Sequence, residues 1–444
     1  MRIAFVPIDN RPVSYDLIRQ TAEISSDIEL FLPDISLLGG LTTLSDTDKI
    51  LDWLENLSGI DAFVVALDTI AYGGLVQSRR NNDDITIILQ RLKRFKNIIK
   101  DKKVLAFSSI MRISNNNMNT EEKPYWEKWG KKIFQYSYDF HKFGTEKTDV
   151  PADILDDYKN TRKRNFEINK LYFEWQKDGI FTEIIFSKDD CAEYGFNIIE
   201  AEELKSLGGF VKTGADEIPL LLLAKCVDEK INIHPVFTEP DTTNLISNYE
   251  DISIAECVKN SIEFAGCTLS DKNSSDIELI VNNFVEKQGE IVMGIDTTPF
   301  KGDFIPSEKP FAVADVRFTN GSDNEFVQKL LPHVMNKNFI GYSAWNTSAN
   351  TLGSLIALIK LYFYAKKHNT LNENAVKKLN LTRFLDDWAY QANIRQKLKT
   401  PDTTELNSLI KSYERELQKL FNSDYNIRCT FPWERLFEVR IELI

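Results

Sequence analysis

The feature that most limits what this chain can fold into is an alternation. Short, continuous apolar runs of β type recur ahead of longer amphipathic runs. The strand candidates are Ile3 to Pro7, Ile28 to Leu32, Ala62 to Leu67, Val104 to Phe107, Glu183 to Phe186, Gly209 to Lys212, Ile231 to Phe237, Ile277 to Val281, Phe311 to Ala314 and Phe339 to Tyr342. Most are uninterrupted apolar runs rather than strict alternations, as suits parallel strands covered on both faces. Between them, "DDITIILQRLKRFKNIIK" repeats apolar residues at three and four, and "TRKRNFEINKLYFEWQKDG" does the same before an Asp-Gly stop. The class is therefore α/β.

At 444 residues the chain is long enough for more than one domain. Residues 1–250 read as an N-terminal β/α core and 251–370 as a second α/β segment contributing to a cleft. Residues 371–444 read as mainly helical, closing with "RCTFPWERLFEVRIELI" as an edge strand. "GCTLSDKNSSD" is the best exposed boundary, and "SNNNMNTEEKPYW" reads as an active-site cover.

A formal charge of −12 disfavours nucleic acid and anionic membrane surfaces as main partners, since both require excess Lys and Arg. The most apolar helix candidate, "TLGSLIALIKLYFYAKK", is too short for a bilayer and carries Lys360. The five cysteines include no C-x-x-C pair, which fits a reduced compartment. "MRIAFVPIDN" passes from Met straight into a strand-like run without a signal-peptide pattern, so a cytoplasmic location is expected. Oligomeric state is not readable.

In parallel α/β folds, function sits at the carboxyl ends of strands. The first end carries Asp9, Asn10 and Arg11; the third, Asp68, Tyr72, Gly73, Gly74, Ser78 and Arg79; the fourth, Arg112 and Asn115. The fifth carries Lys188, Asp189 and Asp190; the sixth, Lys212, Asp216 and Glu217; the seventh, Glu239 and Asp241. Later ends carry Asp315, Arg317 and Asn320, then Tyr342, Trp345, Asn346, Thr347 and Asn350.

Each site has a plain structural reading. Asp or Asn after a strand caps the next helix, and "SANTLG" is a helix start with Asn350 as its cap. Tyr72-Gly73-Gly74 is a turn. As a set the residues ask for more, because capping needs one short polar residue and not Arg, Lys, Tyr and Trp beside it. Guanidiniums there orient neighbouring carboxylates or grip an anion. So many decorated ends favour a barrel-like core, with two doubly wound α/β domains facing a cleft as the alternative. Ten strands exceed one eightfold barrel, so two or three belong elsewhere.

Two carboxylates that approach each other push one toward its protonated form, which supplies an acid and a base at neutral pH. Asp189, Asp190 and Glu217 are the candidate catalytic residues. Asp9, Asn10, Arg11, Asp68, Tyr72, Arg79, Arg112, Lys188, Asp216, Glu239, Asp315, Trp345 and Asn346 are candidates to bind substrate. Tyr72, Trp126, Tyr194 and Trp345 would line an aromatic wall for sugar rings, or simply pack.

The four histidines show no metal-ligand spacing, which argues against zinc. No cofactor is expected, while an oxygen-ligand site for a divalent metal stays open. There is no P-loop, no G-x-G-x-x-G after the first strand and no G-x-S-x-G. "YGG" and "LGG" are too weak to mean phosphate binding. Cys191 sits beside acids that would raise its pKa and blunt it as a nucleophile.

The strings "PIDNRPVSYD", "LDTIAYGGLVQSR", "IMRISNNN", "SKDDCAEYGFN", "GADE", "AWNTSANTLG" and "FPWERLFE" resemble the signature blocks of DUF4127, a family of bacterial proteins of unknown function. The blocks run in one order over most of the chain. It departs from the pattern at "SKDD", where a Gln or similar residue is expected before the acids, and at "GADEIP", where Val-Gly is expected after the Glu. The resemblance implies that the polar strand ends form one constellation. By analogy of fold alone, the acids are similar in arrangement to those of barrel glycosidases, including those acting on N-acetylhexosamines through an Asp-Asp pair.

The first functional reading is a glycoside hydrolase acting on a small-molecule or oligosaccharide substrate. The second is a divalent-metal-dependent hydrolase or lyase using Asp68, Asp189, Asp216 and Asp315. The third is a non-catalytic sugar-binding protein.

Overall fold

Every apolar run predicted as a strand pairs in parallel with a neighbour in the computed structural model, which describes residues 1–189 and 192–444. The first sheet holds β1 (Arg2–Val6), β2 (Glu29–Phe31), β3 (Ala62–Ala66), β4 (Lys103–Ile110), β5 (Glu183–Lys188) and β6 (Val211–Thr213), in the order β2-β1-β3-β4-β5-β6. The pairing is parallel throughout. From β1 the chain winds first to one side and then to the other, so a topological switch point lies between β1 and β3. β3 is buried along its whole length, as an apolar run covered on both faces must be.

The second sheet comprises β7 (Asn232–Phe237), β8 (Thr268–Leu269), β9 (Ile277–Asn282), β11 (Phe311–Asp315) and β13 (Phe339–Ser343), in the order β13-β11-β9-β7-β8, again parallel. Two minor ribbons accompany it. β10 (Gly289–Glu290) pairs with β12 (Phe318–Thr319), and β14 (Ile427–Thr430) pairs antiparallel with β15 (Arg440–Leu443). The C-terminal segment thus does return as a strand, but onto its own hairpin.

The α/β class holds, but the barrel-like core does not form. Each main sheet ends in two edge strands that do not pair with each other, β2 and β6 in one and β13 and β8 in the other. The ten predicted strands divide between two open sheets.

The chain correspondingly forms two compact units. The first is Met1–Asn10 with Glu29–Pro219, and the second is Arg11–Ile28 with Leu220–Ile444. The division falls after Pro219 and not near residue 250, because β7 pairs with β9. Arg11–Ile28 joins the second unit through specific contacts. Arg440 Nε lies 2.8 Å from Asp16, and the Tyr364 hydroxyl donates to Asp27 at 3.0 Å. Residues 371–444 do not stand apart either. Trp388, Tyr390, Leu406 and Ile410 share one apolar core with Phe311, Val313 and Phe326.

Local signals account for the helix ends. The long amphipathic helix Ala152–Lys177 stops at Asp178-Gly179, where Gly179 takes a φ of 71°. Helix Thr403–Leu420 starts on Asp402, whose carboxylate accepts from the N–H groups of Thr404 and Glu405 at 2.8 and 3.0 Å. Among the described residues, no helix is long and apolar enough to cross a membrane.

Candidate functional site

In the first unit, the carboxyl ends of β1, β3, β4, β5 and β6 carry most of the predicted residues. Asp9 is buried just after β1, and the Asn10 N–H donates to the Gly39 carbonyl at 3.0 Å. The glycines of "LGG" and "YGG" are there for close approach. A Cβ on Gly39 would lie 2.4 Å from the Gly73 carbonyl oxygen, so the loops after β2 and β3 touch only because this position has no side chain.

β3 runs directly into the short helix Leu67–Tyr72, which places Asp68 in its first turn with no exposed surface. One carboxyl oxygen, Oδ2, accepts the Ser109 N–H at 2.9 Å, while Oδ1 has no hydrogen-bond partner. Burial pushes the Asp68 carboxyl up to about 7, against the opposing pull of Ser109 and Arg79. Ser109 also meets Asp68 through its hydroxyl, and the Ser187 hydroxyl lies 3.3 Å from that of Ser109. A string of hydroxyls therefore leads from Asp68 across β4 to β5, one residue short of Lys188.

The second short helix, Leu75–Arg80, delivers Arg79, which is only 2% exposed. Its Nη2 lies 3.3 Å from Glu121 and its Nε 3.2 Å from Glu122. Arg112, just past β4, reaches the same two acids at 2.6 and 3.3 Å and faces Asp189 at 3.7 Å. Burial and the neighbouring Arg112 charge both lower the Arg79 pKa. Glu121 and Glu122 come from the polar loop read as a cover, but neither was singled out from sequence. The signal available was "TEEK", an acid pair inside that loop.

Lys212, within β6, contacts Glu217 beyond the strand's end, and the other oxygen of Glu217, Oε2, is buried with no hydrogen-bond partner among the described residues. Gly214 makes this possible: its φ is 106°, and a Cβ there would come within 2.2 Å of Glu217 Oε1. Lys188, the last residue of β5, is buried and accepts the Gly214 N–H on its carbonyl at 3.0 Å, while Asp216 is half-buried. Asp190 and Cys191 lie outside the described residues.

Of the four aromatic residues predicted to line a wall, three fall in the first unit, where each packs against other side chains. Tyr72 is buried beneath the Arg164 guanidinium, at 5.4 Å, and Trp126 packs on Tyr158 in an apolar cluster. Tyr194 lies edge-on to Tyr138 and His141, and Trp345 belongs to the second unit. These rings are occupied by packing.

In the second unit, Asp315 at the end of β11 is fully buried. It accepts from Asn282 Nδ2 and the Asp323 N–H at 2.8 Å each, and from the Tyr342 hydroxyl at 3.3 Å. Burial first, and then the Asp323 charge, push its carboxyl up to about 7. Arg317, also fully buried, donates to Asn282 Oδ1, to the Thr298 carbonyl and, at 2.7 Å, to Glu239. With both oxygens of Asp315 engaged, this constellation ties the loops after β7, β9 and β11 together.

Arg11, Trp345 and Asn346 also fall in the second unit. Arg11 and Arg435 flank the Trp433 ring at 5.3 and 4.7 Å, and Arg395 and Arg435 each sit 5.2 Å from the Phe437 ring. Trp345 meets Phe437 edge-on. Asn346 takes a φ of 58°, and its carbonyl accepts the Asn320 N–H at 2.9 Å. The helix Ser348–His368 is capped by Thr347, not Asn350; the Thr347 hydroxyl accepts the Asn350 N–H.

Of the four acids considered as metal ligands, Asp68, Asp189 and Asp216 lie in the first unit and Asp315 in the second. Among the described residues, no group of three or more His, Cys, Asp or Glu side chains is arranged to hold a metal. Cys226, Cys257, Cys267 and Cys429 are free, buried thiols.

Fold and strand ends together define an α/β protein with two open parallel sheets, whose charged residues gather where such sheets carry their chemistry. The sequence matches the family described as "Protein of unknown function (DUF4127)" over residues 3–442, and the chain belongs to that family. A comparison with curated proteins finds no match.

Proposed function

We propose that this chain is a carbohydrate-active enzyme that cleaves a glycosidic bond at the strand ends of its first unit. The observation that carries the reading is the contrast among three carboxyl groups there. Asp68 is buried with a carboxyl pushed up to about 7, whereas Asp189 faces a guanidinium and Glu217 contacts an ammonium. A carboxyl that keeps hold of its proton up to about pH 7, on the same edge as two carboxyls set against cations, is what acid–base cleavage of an acetal requires. In this reading Asp68 is the proton source, acting through Ser109. Glu217 is base or nucleophile through its unpartnered oxygen, and Asp189, with Arg112, orients the sugar. Asn10, Ser109 and Asp216 add donors and acceptors suited to a hydroxyl-rich substrate.

The test is a panel of chromogenic glycosides and oligosaccharides offered to wild type, Asp189→Asn and Glu217→Gln. Cleavage by wild type, reduced about a hundredfold or more by either substitution, is expected. Cleavage that survives both substitutions removes these residues from the chemistry, and a panel left intact by the wild type removes the reaction class.

A further inference from the structure

Arg79 and Arg112 form an unusual pair. Two guanidiniums stand together at the edge of a parallel sheet, one of them 2% exposed. Like charges in so dry a place need anions, and Glu121 answers both, with one oxygen, Oε2, shared between Arg79 at 3.3 Å and Arg112 at 2.6 Å. The fit on Arg79 is poor. Its contacts with Glu121 and Glu122 are 3.2–3.3 Å long, where a well-seated guanidinium–carboxylate pair lies at about 2.7–2.9 Å. Its Nη1 has no partner among the described residues. No contact of Arg79 has the two-pronged geometry that a guanidinium makes with an oxyanion presented face-on.

Glu121 also differs in origin from the residues it neutralises. Arg79 is fixed by a helix and Arg112 by its place two residues past β4, whereas Glu121 lies in a long polar loop outside regular structure. A half-buried loop carboxylate that holds Arg112 closely but Arg79 loosely has the form of an internal stand-in for an external anion.

We infer that Arg79 and Arg112 form an oxyanion subsite for a negatively charged sugar, and that Glu121 occupies it until the substrate's anionic group displaces it. The inference rests on the carbohydrate reading above and narrows it to sugars bearing a carboxylate, sulfate or phosphate. Glu122, which also touches both arginines, stays in place and balances part of their charge. Once released, the Glu121 carboxylate swings out, while Glu122 and the Glu121 carbonyl keep the loop on the arginines.

The experiment reads binding and not turnover, so it is separable from the cleavage reading. Glucuronate, glucose 6-phosphate, glucose 6-sulfate, glucose and inorganic phosphate and sulfate are titrated into wild type, Glu121→Gln, Arg112→Gln and Arg112→Lys by calorimetry, with thermal unfolding confirming that each variant is folded. At least one charged sugar is expected to bind more tightly than glucose and more tightly than its inorganic anion. Glu121→Gln, which removes the competing charge but keeps the shape, is expected to bind it about tenfold more tightly, equivalent to one charge-assisted hydrogen bond. Arg112→Gln is expected to lose the preference for charge, and Arg112→Lys to keep part of it. The proposal is overturned if no charged sugar outperforms glucose, if inorganic anions bind as well as charged sugars, or if Glu121→Gln binds no more tightly than wild type. Charged-sugar binding without cleavage would sink the hydrolase and leave this subsite standing. Cleavage of neutral glycosides without charge preference would do the reverse.

Discussion

Replacing Asp68 with Asn changes how stability depends on pH, and the size of the change follows from the structure. The Asp68 carboxyl titrates near 3.8 in an unfolded chain and is raised to about 7 in the fold. The native state therefore holds a proton that the unfolded state has released between those values, and stability falls as pH rises through that window. About three units at about 1.4 kcal/mol each puts the ceiling of the effect at about 4 kcal/mol. Because Asp68 has no exposed surface, solvent does little to screen this term. Asn keeps an oxygen that can accept the Ser109 N–H but cannot ionise. Asp68→Asn should match wild type within about 1 kcal/mol near pH 4.5 and exceed it by about 2–4 kcal/mol at pH 8. The assay is urea unfolding of both proteins across that range, read as the difference between them so that other titrating groups cancel. A difference that stays flat from pH 4.5 to pH 8 would refute the reasoning, because Asp68 would then ionise as easily in the fold as out of it.

Other substitutions test separate parts of the account. Gly214→Ala meets both a φ of 106° and the Glu217 carboxylate at 2.2 Å, so it should lower stability by about 1–3 kcal/mol and displace Glu217, seen as a lower melting temperature together with lost turnover. Arg317→Gln strips the partner from Glu239 and from buried Asp323 and should destabilise the second unit by about 3–5 kcal/mol in denaturant titrations. Thr347→Ala removes a helix cap and should cost about 1 kcal/mol by the same measurement, while Asn350→Ala, which leaves the Thr347 oxygen and the Asn350 N–H in place, should cost less.

Most strands were legible because they are continuous apolar runs, and burial on both faces demands that composition. β3, "AFVVA", is buried at every residue. Sheet closure was not legible. Whether β2 finds β6 depends on pairing between segments far apart in the chain, and nothing in "ELF" or "VKT" encodes the partner. The sorting of polar ends between two units was hidden for the same reason. Asp9 and Arg11 are two residues apart yet belong to different units, because Arg11–Ile28 packs with the C-terminal helices and hairpin.

Within the candidate site, Asp68, Arg79, Arg112, Asp189 and Glu217 could be named as residues that follow parallel strands. What engages the two arginines could not. Glu121 is 42 positions from Arg79, and a loop read as a cover does not say which of its side chains reaches which strand end. The role of the aromatic residues was not legible, because Trp and Tyr serve packing as readily as stacking. Trp126 is 2% exposed inside an apolar cluster.

The central claim is that the strand-end carboxylates of the first unit meet the bond that is cleaved. The most direct measurement is a crystal structure of Asp189→Asn with its tightest-binding saccharide. The account predicts a glycosidic oxygen within hydrogen-bonding reach of the Ser109 or Glu217 side chain, with the sugar's anionic group on Arg79 and Arg112. A saccharide seated on the second unit alone, among Trp345, Trp433 and Phe437, would contradict it.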